Sequence, residues 1–129
     1  MKRIAVFLLA ATSLTVGGTV QAQDAANGEA VFKKCRACHL VGPEAKHTVG
    51  PQLNNVIGRK AGTIADFSSY SDQMKELGSK GLVWNDATLD KYLANPKDLV
   101  PNGKMAFPGL SDKEDRADVI AYLKTFTKK

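Results

Sequence analysis

KKCRACHLVG, residues 33–42, contains the only two cysteines of the chain, Cys35 and Cys38, with His39 directly after the second. Three kinds of site use cysteines at this spacing: a redox dithiol, half of a four-ligand zinc centre, and a haem attached through two thioethers with the histidine on its iron. The ten residues alone do not choose among them. What the rest of the chain can support does, and that choice decides what the fold is built around.

The 129-residue sequence opens with MKRIAVFLLAATSLTVGGTVQAQ, where Lys2 and Arg3 precede an apolar run and Val20-Gln21-Ala22 gives a small-x-small cleavage pattern. Residues 1–22 therefore read as a secretory signal peptide, cleaved after Ala22. The run is broken by Thr, Ser and Gly, whereas a spanning helix needs about 20 mostly apolar residues. Cleavage leaves residues 23–129, one small domain. Loss of Lys2 and Arg3 lowers the formal charge from +5 to +3. That balance is mildly basic and speaks against nucleic-acid binding.

The remaining chain carries helix signals and almost no strand signals, so the expected class is all-α. GEAVFKKCRAC suggests a short helix running into the cysteine motif with Phe32 on its inner side. SDQMKELG opens on Ser71-Asp72 and closes on Gly78. NDATLDKYLANP starts on Asn85-Asp86, places Leu89, Tyr92 and Leu93 on one face, and ends at Pro96. SDKEDRADVIAYLKTFTKK sets Ser111 and Glu114 at capping-box spacing and aligns Val119, Ile120, Leu123 and Phe126. Acids in its first turn and lysines at its end suit the helix dipole. Long Gly- and Pro-rich loops join these pieces, with no repeat and no second domain.

A domain of about 100 residues that is nearly half loop needs a staple. A Cys35–Cys38 disulfide would close a loop too short to stabilise much. A zinc site would have only His39 and His47 to add, at unsuitable spacing. A thioredoxin-type dithiol belongs after a strand in a βαβ unit, and no such strand is legible. Haem attachment through Cys35 and Cys38, with His39 as an axial ligand, fits best in an exported protein. A six-coordinate haem needs a second strong ligand. Of the methionines, Met1 leaves with the leader and Met74 lies within an expected helix, where packing is its natural role. Met105 sits in VPNGKMAFPGL, a loop with prolines on both sides that can present a thioether or simply fill a gap in the core.

CRACH, KHTVGPQLNNVIGRKAG, YSDQM, GLVWNDATLDKYLANPKDLVPNGKMAFPGL and DRADVIAYLKTF together resemble class I cytochrome c, in the mitochondrial cytochrome c and bacterial cytochrome c2 group. The resemblance runs in order from Gly28 to Phe126. It implies an all-α class I cytochrome c fold, short helices and long loops around one covalently bound haem c, with His39 and Met105 on the iron. It implies further that the Pro51 carbonyl orients His39, that the Tyr92 hydroxyl reaches the Met105 sulfur, and that Arg59, Tyr70 and Trp84 serve the haem propionates. Gly28 and Tyr122 resemble the pair at which the first and last helices cross. His47 resembles a loop-stapling histidine rather than a ligand. The leader favours the bacterial, periplasmic side of the group.

The chain also departs from that pattern. Phe32 stands one residue closer to the first cysteine than in the mitochondrial proteins, and KELGSKGLVW is about three residues longer than their loop. Met74 replaces a polar asparagine, and Gly103 replaces a threonine that bonds a propionate. The function implied is a monomeric periplasmic electron carrier, not an enzyme. Its expected partners are membrane redox complexes, such as a quinol–cytochrome c reductase and an oxidase or photosynthetic reaction centre, met through Lys34, Lys97 and Lys104. The alternatives are a fixed electron-transfer partner of a periplasmic dehydrogenase, a haem enzyme or gas sensor with a labile Met105, and a thiol redox protein without haem.

Overall fold

The computed structural model describes residues 23–128 and contains five helices there: α1 Ala25–Phe32, α2 Asp72–Ser79, α3 Asp86–Ala94, α4 Pro96–Leu99 and α5 Lys113–Lys124. Extended pairing among the described residues is limited to one antiparallel bridge, Lys60 to Val83. The class is all-α. The signal peptide assigned to residues 1–22 lies outside the described residues.

Each helix starts on a side-chain oxygen that satisfies amides the helix itself leaves open. Asp24 accepts from the amides of Ala26 and Asn27 to begin α1, and Ser71 accepts from Met74 to begin α2. Asn85 and Thr88 bond each other's backbone reciprocally at the start of α3. At α5 the cap is Asp112, not the Ser111–Glu114 pair expected from spacing. The Asp112 carboxylate reaches two amides, Glu114 at 2.8 Å and Asp115 at 3.1 Å, while the Ser111 carbonyl receives the Arg116 guanidinium at 3.2 Å. α4 was not foreseen: Pro96 ends α3 but also opens a single helical turn, with Asn95 as its cap. α1 stops at Phe32 rather than continuing into the motif, and tight turns such as Cys35 N–H to Phe32 O, 2.8 Å, carry the chain onward.

α1 packs across α5. A β-carbon at Gly28 would collide with the Asp118 carbonyl and lie 2.8 Å from Tyr122 Cβ, so the backbones touch only because residue 28 has no side chain. Phe32, almost wholly buried, meets Tyr122 with ring centroids 5.5 Å apart. Asp118 lashes the crossing by accepting from the Asp24 amide and the Asn27 carboxamide, both at 2.8 Å. Val119, Ile120 and Leu123 are buried, each contributing about 1.5–3 kcal/mol of apolar transfer. Phe126 stays half-buried, edge-on to Tyr122. α3 packs against α5 and α4, but α2 packs against no other helix among the described residues. It rests instead on the loop before it, where Gly78 meets the Ala61 carbonyl and Gly62, at φ 68°, meets the α2 backbone at Lys75.

Candidate haem-binding site

The motif segment folds back on itself, with the amides of Cys38 and His39 both bonded to the Cys35 carbonyl at 3.1 and 2.9 Å. One turn thus places two thiols and an imidazole together. Both cysteines are half-buried and unlinked. Burial pushes the Cys35 thiol up, against a smaller lowering by Lys34. A redox dithiol needs the opposite shift on its attacking sulfur. Among the described residues no three His, Cys, Asp or Glu side chains converge as a zinc site would require.

His39 Nδ1 lies 2.7 Å from the Pro51 carbonyl. A carbonyl only accepts, so Nδ1 carries the proton and the Nε2 lone pair is left to bind a metal. Burial lowers the His39 pKa, outweighing the Pro51 hydrogen bond, with Arg59 adding to the lowering. The neutral, ligating form is therefore favoured. Gly50 forms one wall of this position: a β-carbon there would stand 2.5 Å from His39 Cε1. The Gly50 amide and the Thr48 hydroxyl donate to the Cys38 carbonyl at 2.9 and 2.8 Å, tying the wall to the motif.

Met105 is presented by the loop between α4 and α5. The Tyr92 hydroxyl, on the buried face of α3, donates to its sulfur at 3.8 Å. Trp84 lies against Tyr92, ring centroids 4.9 Å apart. Burial pushes Tyr92 up to about 12, so its proton stays on the oxygen through the physiological range. The unfolded chain releases this proton near pH 10 and the folded one only near 12, so stability falls as pH rises between those values. Tyr92→Phe should flatten that fall in denaturant titrations at pH 9 to 12; an unchanged slope would dissociate Tyr92 from it.

The other expected residues are held by contacts of their own. Arg59 donates to the carbonyls of Gln52, 3.1 Å, and Asn54, 2.6 Å, and so holds the backbone just after Pro51. Tyr70 is half-buried, edge-on to Phe67 at 4.8 Å. His47 accepts from the Gln52 amide at 3.0 Å through Nδ1 and faces the Asp66 carboxylate at 2.8 Å through Nε2. Both nitrogens are engaged, which leaves neither for a metal. Met74 packs from α2 against the core, and a β-carbon at Gly103 would sit 3.2 Å from Val100 Cγ1. Sequence reading missed Gly50, Thr48 and Asp66, and also Asn54, whose carboxamide bonds the amide and carbonyl of Gly42, both at 2.8 Å. Only the Gly-Pro pair at 50–51 offered a local signal.

The donor set fits a haem: two neighbouring thiols, a neutral imidazole with a free Nε2, and a thioether. Leu53, Ile57, Leu99 and Phe107 are apolar, only partly buried and packed against the core.

The sequence profile of the Cytochrome c family matches residues 25–127. A cytochrome c2 of Rhodomicrobium vannielii is 51% identical over 125 residues, covering 97% of each chain. A cytochrome c-550 of Ancylobacter novellus is 57% identical over 102 residues, 78% of this chain and 94% of its own. Among solved structures, cytochrome c2 from Rhodospirillum centenum superimposes with a TM-score of 0.74 at 43% identity, over 81% of this chain and 99% of that one. The chain therefore belongs to the cytochrome c family, in its class I cytochrome c2 group, as an electron carrier rather than an enzyme, with one covalently bound haem c.

Proposed function

We propose that Cys35 and Cys38 hold the haem through thioethers, that His39 Nε2 and Met105 Sδ bind its iron, and that the protein shuttles single electrons in the periplasm between membrane complexes. The observation that carries this reading is that each axial donor has its own supporting hydrogen bond, His39 to Pro51 and Met105 from Tyr92. Two donors held in this way close the metal to outside ligands. Bound there, the haem supplies a one-electron Fe(III)/Fe(II) couple. A neutral thioether and apolar walls favour the reduced state and raise the potential. Arg59, Tyr70 and Trp84 are the groups assigned to the propionates, and Arg59 also braces the Pro51 loop.

Export is supported by the leader. The match to the Rhodomicrobium protein, at 125 residues, is longer than the 107 residues of 23–129, so it extends into that leader. No helix of the described residues is long and apolar enough to cross a membrane.

The partners proposed are a quinol–cytochrome c reductase as donor and an oxidase or photosynthetic reaction centre as acceptor. Lys34 adjoins Cys35, Lys104 adjoins Met105, and Lys97 lies on α4; all three are exposed and make no ion pair among the described residues. Several acids, by contrast, are occupied at helix starts, as Asp24 and Asp112 are, or paired with Lys75, Lys80, Arg116 and Lys124. This distribution leaves free positive charge beside the proposed haem ligands. Such charge steers encounter with an acidic patch over about 10 Å at 0.1 M salt and acts on the association rate. Lys104→Glu should slow the bimolecular reaction with membranes containing the partner several-fold at low salt, with the difference fading as salt rises. Stopped-flow rates identical to wild type at every ionic strength would remove this docking surface.

A further inference from the structure

Between Gly103 and Leu110 the Met105 loop has few restraints. The Gly103 amide bonds Val100 O at 3.0 Å and the Leu110 amide bonds Leu93 O at 2.7 Å, but Lys104 to Gly109 make no backbone hydrogen bond among the described residues. Within that span Met105 and Phe107 pack against the core, and the one side-chain hydrogen bond among the described residues is the 3.8 Å contact from Tyr92 to the sulfur. Just before it, the Asn102 amide donates to Gln73 Oε1 at 2.6 Å. Gln73 belongs to the first turn of α2, which packs on no other helix among the described residues. α2 and the loop face each other across a groove lined by Ser71, Asp72, Gln73, Glu76, Asn102 and Lys104. The Gln73–Asn102 bond is the hydrogen bond that spans it.

We infer that Gln73 is a positioning residue for the sixth iron ligand: its carboxamide oxygen latches the Met105 loop to α2 and lowers the population of protein in which the sulfur has moved away. The inference rests on Met105 being an axial ligand. The latch joins the two least anchored parts of the site, so each restrains the other. A hydrogen bond of this kind contributes about 0.5–1.5 kcal/mol, which changes such a population roughly two- to ten-fold. Because the ligands to the iron are the same with and without it, the midpoint potential is not where the effect appears.

The test uses oxidised holoprotein with imidazole, a ligand that enters only when the sulfur has left. Gln73→Ala, and Gln73→Met, which keeps the length but not the acceptor, should bind imidazole about two- to ten-fold more tightly or faster. Gln73→Glu, which keeps an acceptor oxygen, should return to the wild-type value. Hydrogen exchange of the Asn102 amide should accelerate in the first two variants while that of Leu110, held by Leu93, does not. Imidazole binding that is equal in all four proteins overturns the latch. An exchange increase shared by Asn102 and Leu110 also overturns it, since that marks general loosening. A far-red sulfur-to-iron band missing from the wild-type oxidised spectrum would instead overturn the Met105 assignment, and the latch with it.

Discussion

Replacing Cys35 and Cys38 together with Ala should leave no compactly folded protein. Among the described residues the helices make three interfaces, α1 with α5, α3 with α5 and α3 with α4, and none of them includes α2. Fully buried apolar residues amount to a thin set centred on Phe32, Val100 and Val119. Cys35, Leu53, Ile57, Leu82 and Phe107, which the loops bring inward, are only partly buried, as is Leu99 at the end of α4. On the proposed attachment the haem would complete the packing of these side chains, and a small domain without its staple loses most of a net stability of about 5–15 kcal/mol. Far-ultraviolet circular dichroism should show most of the helical signal gone, and size-exclusion chromatography an expanded chain. A compact, cooperatively melting, haem-free double variant would show that the polypeptide holds itself together.

The second large effect is expected at the proposed sixth ligand. Met105→Ala removes the sulfur and leaves the Tyr92 hydroxyl, 8% exposed as a residue, without its acceptor. An unsatisfied buried hydroxyl costs about 1–3 kcal/mol, so the variant should melt earlier but still fold. The midpoint potential should fall by an amount on the order of tenths of a volt, since axial ligands set haem potentials over a range of about 0.8 V. Peroxidase activity should appear, because peroxide gains access to the metal. Met105→His separates the two consequences: it should lower the potential while keeping the site closed. A Met105→Ala protein with the native potential would place the sixth ligand elsewhere.

The helices were legible because their starts are local events. Ser71, Asn85 and the α5 stripe of Val119, Ile120 and Leu123 each announce themselves within one or two turns. Where local signals compete, the reading slipped: Asp112 displaced Ser111 because a carboxylate serves two amides, and Asn95-Pro96 both ends one helix and starts another. The site is a different matter. Pro51 meets His39 across 12 residues and Tyr92 meets Met105 across 13, and no periodicity encodes such pairings. They were legible only through the resemblance of whole motifs. Gly50, Thr48 and Asn54 escaped even that, because their work is done by a missing side chain or by bonds to distant backbone. Gln73 has no distinguishing sequence context; its bond to Asn102 spans 29 residues.

The central claim, a covalently attached haem closed on both faces by His39 and Met105, meets its most direct test in a carbon monoxide difference spectrum of the reduced native protein at neutral pH. The account predicts a sharp c-type spectrum that does not change on the addition of carbon monoxide, because His39 and Met105 leave no coordination position for it. A rapid, stoichiometric shift to a carbon monoxide complex would contradict it, showing that the sixth position is open and that the protein is built to bind a ligand rather than only to carry an electron.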